Sequence, residues 1–211
     1  KNDASDVQSE NIWKCIVGLG WIGPNFEKNV KSTIDQLKRL NEPNNFHIGL
    51  ANIGIYIGAE VIRHDDDGAP DIIWIFSYSK SYTFEAKTNK DANSKISKKN
   101  ALQAKGHVDW LHSKRPSILK ENIIPSIIAP NNALHNGAQP HASDLFFVST
   151  ERIIDFGKKE ISFIRETRTE YKGKEYGEVK EDLKKRIKIK ELDVASIENF
   201  ITSAKMINIE S

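Results

Sequence analysis

The stretch Pro70-Asp71-Ile72-Ile73-Trp74-Ile75-Phe76 is followed, after a short polar interval, by Tyr82-Thr83-Phe84-Glu85-Ala86-Lys87. Five consecutive large apolar residues, Ile72–Phe76, read as a strand buried on both faces. Ser77–Ser81 turns the chain, and Tyr82–Lys87 predicts the next strand. Side chains alternate along a strand. Glu85 and Lys87 therefore share one face, while Phe84 and Ala86 point into a core. If the two strands pair as a hairpin, Asp71, Glu85 and Lys87 are drawn to a single spot. Two hard carboxylate ligands with room for water suit magnesium. A neighbouring ammonium can position a water for attack on a phosphate, while the metal neutralises the charge that develops.

Working outward, Ala59–Arg63 reads as a preceding strand, joined through a turn at His64–Asp67 and Gly68. The three strands together suggest a meander. Residues 46–57 fit either a helix, through Phe46, Leu50, Ile53 and Ile57, or a strand, through Ile53, Ile55 and Ile57. Length and a terminal Gly58, a natural left-handed cap, favour the helix. Phe26, Val30, Ile34 and Leu37 fall on one face of a helix over 25–40 that starts at Pro24 and Asn25. Before it, residues 1–11 read as a frayed polar end, followed by a short apolar segment, Ile12–Val17. Downstream, Lys95–His112 predicts an exposed helix ending before Pro116. Ile123–Ala129 is a fourth strand whose Pro125 hints at an edge or a strand start, and Leu145–Val148 is a fifth. Ser149 and Thr150 can cap a helix carrying Ile153, Ile154 and Phe156. Leu183 and Ile187 mark another helix, and residues 194–204 a last short one.

The composition is that of a folded domain, with 38% hydrophobic and 28% charged residues. A single cysteine, Cys15, excludes an internal disulfide and a thiolate zinc cluster. No apolar run is long enough to span a bilayer and no signal peptide opens the chain, so a cytoplasmic location is expected. The chain begins with Lys1, which suggests a piece of a longer protein. With 31 basic and 29 acidic residues the net charge is +2, which excludes a polybasic binder but not a local basic face. Such a face is suggested between 87 and 105, where Lys87, Lys90, Lys95, Lys98, Lys99 and Lys105 meet one acid, Asp91. Lys95 and Lys99, four apart, would share a helical face and are candidate phosphate contacts. Asp65–Asp67 reads as a solvated turn, and the mixed charges of 158–191 as solvated helix surface.

With Pro70, Asp71, Glu85, Ala86 and Lys87 in view, the chain resembles the PD-(D/E)XK nuclease superfamily. Asp71 and Glu85 are 14 positions apart, a spacing compatible with that family. The order helix, strand, strand, strand, helix, strand agrees as well. The resemblance covers roughly residues 44–157 and implies a restriction-endonuclease-like α/β fold: a mixed central sheet of about five strands flanked by helices. It divides the chain into an N-terminal tail and accessory helix (1–43), a nuclease core (44–167) and a charged helical extension (168–211). It implies magnesium, or manganese as a substitute, held by Asp71, Glu85 and the Ala86 backbone carbonyl, with Lys87 orienting the attacking water. Gln103 and His107, four apart on the helix after the third strand, match residues that line the active site in several branches. Gln103 is assigned to the water or a phosphate oxygen, and His107 to the nucleic acid.

One departure concerns the first helix, where His47 occupies the place in which many members carry a metal-binding glutamate. Glu27 on the preceding helix, or Glu60 at the start of the first strand, could supply that acid instead. The function implied is magnesium-dependent hydrolysis of DNA phosphodiesters in restriction, phage defence or repair. The alternatives are a catalytically inactive binding module on the same fold and an RNA-cleaving toxin domain. The partners implied are DNA, further domains of a longer parent chain and a second copy in a homodimer, with no membrane.

Overall fold

The computed structural model describes residues 3–64, 66–88 and 94–206. The protein is α/β, with an open five-stranded mixed sheet in the order β1-β2-β3-β4-β5. The strands are β1 (Glu60–Ile62), β2 (Ile72–Ser77), β3 (Lys80–Ala86), β4 (Ile123–Ala129) and β5 (Phe146–Ser149). β1, β2 and β3 are joined antiparallel, whereas β3–β4 and β4–β5 are parallel. The meander is therefore as expected, and β3 is the strand where the two kinds of pairing meet. A parallel pair requires a crossover, which α4 (Lys98–Lys114) supplies between β3 and β4.

The helices α1 (Ala4–Leu19), α2 (Asn25–Lys38), α3 (Pro43–Tyr56), α5 (Thr150–Glu170), α6 (Tyr176–Ile189) and α7 (Val194–Thr202) complete the fold. All six contribute to one large core against the sheet face carrying Trp74, Tyr82, Phe84 and Ala86. α4 covers the opposite face through Ala101, Ala104 and Leu111 in two smaller clusters. α3 lies close on β2 because Gly54 has no side chain: a Cβ there would collide with the Trp74 indole. No helix among the described residues is long and apolar enough to cross a membrane.

Four sequence expectations are corrected. Residues 4–11 are not frayed but open α1, which buries Gln8, Ser9, Ile12, Trp13 and Ile16. Two polar residues on its buried face hide the helical period. Gln8 Nε2 donates to the carbonyls of Ile57 at 3.0 Å and Leu192 at 2.7 Å, so its burial is satisfied. β4 is not an edge strand: it pairs with β3 and β5, and Pro125 lies one residue before the pairing with β5 begins at Ser126. α4 starts at Lys98, after the N-cap Ser97, which accepts from the Asn100 N–H at 3.2 Å; Lys95 is therefore outside the helix. Finally, α4 is not an exposed helix, since Ala101, Ala104, His107 and Leu111 are all buried. Asp65, Lys90 and Asp91 lie outside the described residues.

Candidate active site at the end of β3

β2 begins at Ile72, opposite Phe84, so the Ala86 N–H has no strand partner on that side. The Asp71 carboxylate fills the gap. Its Oδ2 accepts the Ala86 N–H at 2.7 Å, while the Asp71 N–H donates to the Phe84 carbonyl at 3.1 Å. The N–H and C=O of a strand residue face the same neighbour, which turns the Ala86 carbonyl toward Asp71. On the other side the Lys87 N–H donates to Ile128 O at 2.7 Å. These backbone bonds fix the direction of the side chains at the end of β3.

Alternation places Glu85 under α4, where it is 0% exposed. The Lys87 ammonium contacts its Oε1. His107 Nε2 lies 3.2 Å from its Oε2, with both side chains fully buried. That separation is in hydrogen-bond range, although among the described residues neither Glu85 oxygen has a well-aligned hydrogen-bond donor. Burial alone pushes the Glu85 carboxyl up and is the largest single effect. His107 and Lys87 together outweigh it and hold the group below its ordinary range. Asp71 behaves oppositely. Burial, followed by the negative charge of Glu85, raises its pKa despite the Ala86 N–H. Asp71 on the cleft wall thus carries a carboxylate whose ionisation is disfavoured by the buried Glu85 charge beneath it, a strain that a cation would relieve.

The cleft has a volume of about 270 Å³ and is lined by His47, Arg63, Asp66, Asp67, Asp71 and Gln103. Gln103 therefore stands beside Asp71, on the same helix as His107, with Glu85 beneath. α3 brings His47 Nε2 to 3.7 Å from Asp71 Oδ2. Burial depresses the His47 pKa below its ordinary value, so its imidazole is neutral at pH 7 and the contact is no ion pair. Larger clefts, of about 540 Å³ between α5 and α7 and about 500 Å³ beside Tyr78, do not include Asp71, Glu85 or Lys87. Chemistry rather than volume marks the site.

The structure thus brings together Asp71, Glu85, Ala86, Lys87, Gln103 and His107. It does not bring Glu27 to them. Glu27 takes a two-pronged pair of 2.8 Å hydrogen bonds from Arg165. The end of α2 near β3 is the other one, where Thr88 Oγ1 donates to Leu40 O at 2.8 Å. Glu27 sits roughly 16 Å up the helix from Lys38, at about 1.5 Å per residue. Glu60 is engaged by Arg115 at 2.7 Å, opposite Ile75 and away from Asp71. His107 cannot contact nucleic acid, because its side chain is buried against Glu85. Lys95 and Lys99 are both exposed, but they do not share a helical face, since Lys95 precedes the cap.

Sequence reading missed Arg63, Asp66 and Asp67 as cleft residues. The acidic turn was visible, but only the antiparallel return of β1 onto β2 carries it to Asp71. Among the described residues no group of three or more His, Cys, Asp or Glu side chains is placed to hold a metal ion. A cation here would rest on Asp71, Glu85, the Ala86 carbonyl and water. The two Glu85 oxygens without aligned donors fit that donor set. Comparison with protein-family models, curated proteins and solved structures finds no match to this chain.

Proposed function

We propose that this protein is a magnesium-dependent nuclease of the restriction-endonuclease-like fold that hydrolyses phosphodiester bonds in DNA. The observation that carries the reading is the convergence of Asp71, Glu85 and Lys87 at the end of β3, where Asp71 bonds the Ala86 N–H and Lys87 touches Glu85. Support also comes from the strand order, with an antiparallel meander followed by a helical crossover into parallel strands.

Asp71, Glu85 and the Ala86 carbonyl would hold magnesium, whose chemistry would be to neutralise charge developing on the phosphate oxygens and to make the attacking water more acidic. Lys87 keeps its ammonium against Glu85 and orients the attacking water by hydrogen bonding. Gln103, on the cleft wall, holds that water or a non-bridging phosphate oxygen. His107 fixes the Glu85 carboxylate from below and never meets the substrate. The cytoplasmic setting and a role in restriction, phage defence or repair belong to the same proposal, as does a division of the chain near 43 and 167.

The test is incubation with supercoiled plasmid, with magnesium and with excess chelator. Nicked or linear product with magnesium alone is expected, and cleavage in chelator would sink the reading. The rival, a binding module without chemistry, is favoured by His47 standing 3.7 Å from Asp71 where a carboxylate would complete a metal site. It predicts DNA binding with no product at any metal concentration.

A further inference from the structure

The cleft that would receive the scissile phosphate is acidic: Asp66, Asp67 and Asp71 face Arg63. A polyanion must therefore be held by cations outside it. On α2, Phe26, Val30, Thr33 and Leu37 are buried, which fixes the opposite face as the solvent face. Lys28, Lys31, Lys38 and Arg39 fall within an arc of about 100° on that face, at about 3.6 residues per turn. Asp35 is the one acid among them.

Lys28, Lys31 and Lys38 are exposed and make no ion pair among the described residues, and Arg39 makes only an exposed 3.5 Å contact with Glu42. Several cations on other helices are tied up, Lys158 with Asp155 at 2.7 Å, Lys184 with Asp6 at 2.9 Å and Lys190 with Glu166 at 2.7 Å, whereas exposed lysines such as Lys172, Lys185 and Lys188 make no ion pair among the described residues but border no groove that leads to the cleft. A run of cations left unneutralised on one stripe is what a polyanion needs.

The stripe also leads to the cleft. Lys28, Lys31 and Arg39 line a groove of about 320 Å³ that ends at Asn45. The adjacent Asn44 accepts from Arg63 Nη2 at 2.8 Å, and Arg63 lies on the wall of the cleft that holds Asp71.

Resting on the nuclease reading, we propose that α2 is the docking rail for the phosphate backbone of duplex DNA, with Lys28, Lys31, Lys38 and Arg39 gripping one strand and Arg63 leading it to Asp71. From Lys28 to Lys38 the helix rises roughly 15 Å, the axial length of about four phosphates of one strand. The solvent face of α2 carries Lys28, Asn29, Lys31, Ser32 and Asp35 and offers no ring on which an unpaired base could stack. Single strands are held on such rings, so the rail fits a duplex.

Binding is measured in chelator, where no cleavage intervenes, by titrating a short duplex and one of its single strands at several salt concentrations. The variant Lys28→Ala/Lys31→Ala/Lys38→Ala should lose at least tenfold in duplex affinity. Its salt slope should shrink by roughly 2.7 units, about 0.9 per lost phosphate contact. A control with the same charge loss elsewhere, Lys172→Ala/Lys185→Ala/Lys188→Ala, should keep the wild-type slope. An unchanged slope in the α2 variant, equal loss in both variants, no duplex affinity in the wild type, or a single strand bound as tightly as the duplex would each overturn the rail. A protein that binds duplex through α2 yet never cuts with magnesium leaves the rail standing and removes the nuclease reading. Cleavage by a wild type whose α2 variant binds unchanged does the reverse.

Discussion

Glu85 is a fully buried carboxylate flanked by Lys87 on one side and His107 on the other. Its charge is maintained by neighbours rather than by water, so removing either neighbour should cost stability as well as chemistry, and the rate is compared at a temperature where the variant is folded. Lys87→Ala is expected to lower the single-turnover cleavage rate by about 10²-fold or more, the scale of losing one group that stabilises the transition state, with little loss of DNA affinity. Equal losses in both would place Lys87 in binding. His47→Ala should change magnesium affinity little, because a neutral imidazole 3.7 Å from Asp71 is not a ligand in waiting; a large drop by calorimetry would contradict this.

Glu160 is a different case. It is 0% exposed, neither of its oxygens has a hydrogen-bond partner among the described residues, and burial raises its pKa well above the ordinary value of 4.5. Cys15 and Tyr56 face it, and burial pushes both of them up as well, so neither ionises below neutrality. Below the unfolded carboxyl value both states are protonated. As pH rises through it, the unfolded chain ionises first and stability falls until the folded group ionises too. The Glu160 contribution to stability should therefore decline from acid toward neutral pH, so Glu160→Gln should gain stability relative to the wild type as pH rises over that range; parallel curves for the two proteins would refute it. Glu85 was legible in the sequence because it interrupts an apolar strand. Glu160 was not, since within the charged run 158–191 the acids look alike until the packing of α5 selects one.

Among the elements, the strands were readable to within a residue or two, because large apolar and β-branched runs have few other homes. α1 was not, since Gln8 and Ser9 occupy its buried face and are satisfied only by partners far away in sequence. The start of α4 shifted by three residues because Ser97 is the better cap, and that shift separated Lys95 from Lys99. The Gly58 cap, at φ 82°, was legible, but its tightness was not: a Cβ would lie 2.5 Å from Gln8 O in α1. Gly68 has φ 77°, and a Cβ added there would meet nothing within 4 Å. Gly68→Ala should thus show only the conformational cost, about 1–2 kcal/mol. Gly58→Ala should cost more, because α1 must also move. Equal unfolding free energies for the two variants would mean that α1 yields freely.

For the whole molecule, the mixed sheet and its flanking helices followed from the order of elements, whereas the closure of the first helix onto the last third of the chain did not. α1 packs against α6, and Asp6 on α1 meets both Lys180 at 3.1 Å and Lys184 at 2.9 Å. Removing α1 should expose the apolar faces of α3 and α6 and be read as binding of a hydrophobic dye; a dye-silent, cooperatively folding truncation would show the helix to be an ornament. The Gln8 side chain binds Leu192 across 184 residues of chain. At about 5–20 residues added per second during synthesis, roughly 10–40 s pass between the emergence of that glutamine and the arrival of its acceptor. Throughout that interval Ile12, Trp13 and Ile16 can settle on α3 and β2 but not on α6 and α7, so α1 is held on one side long before its other side is closed.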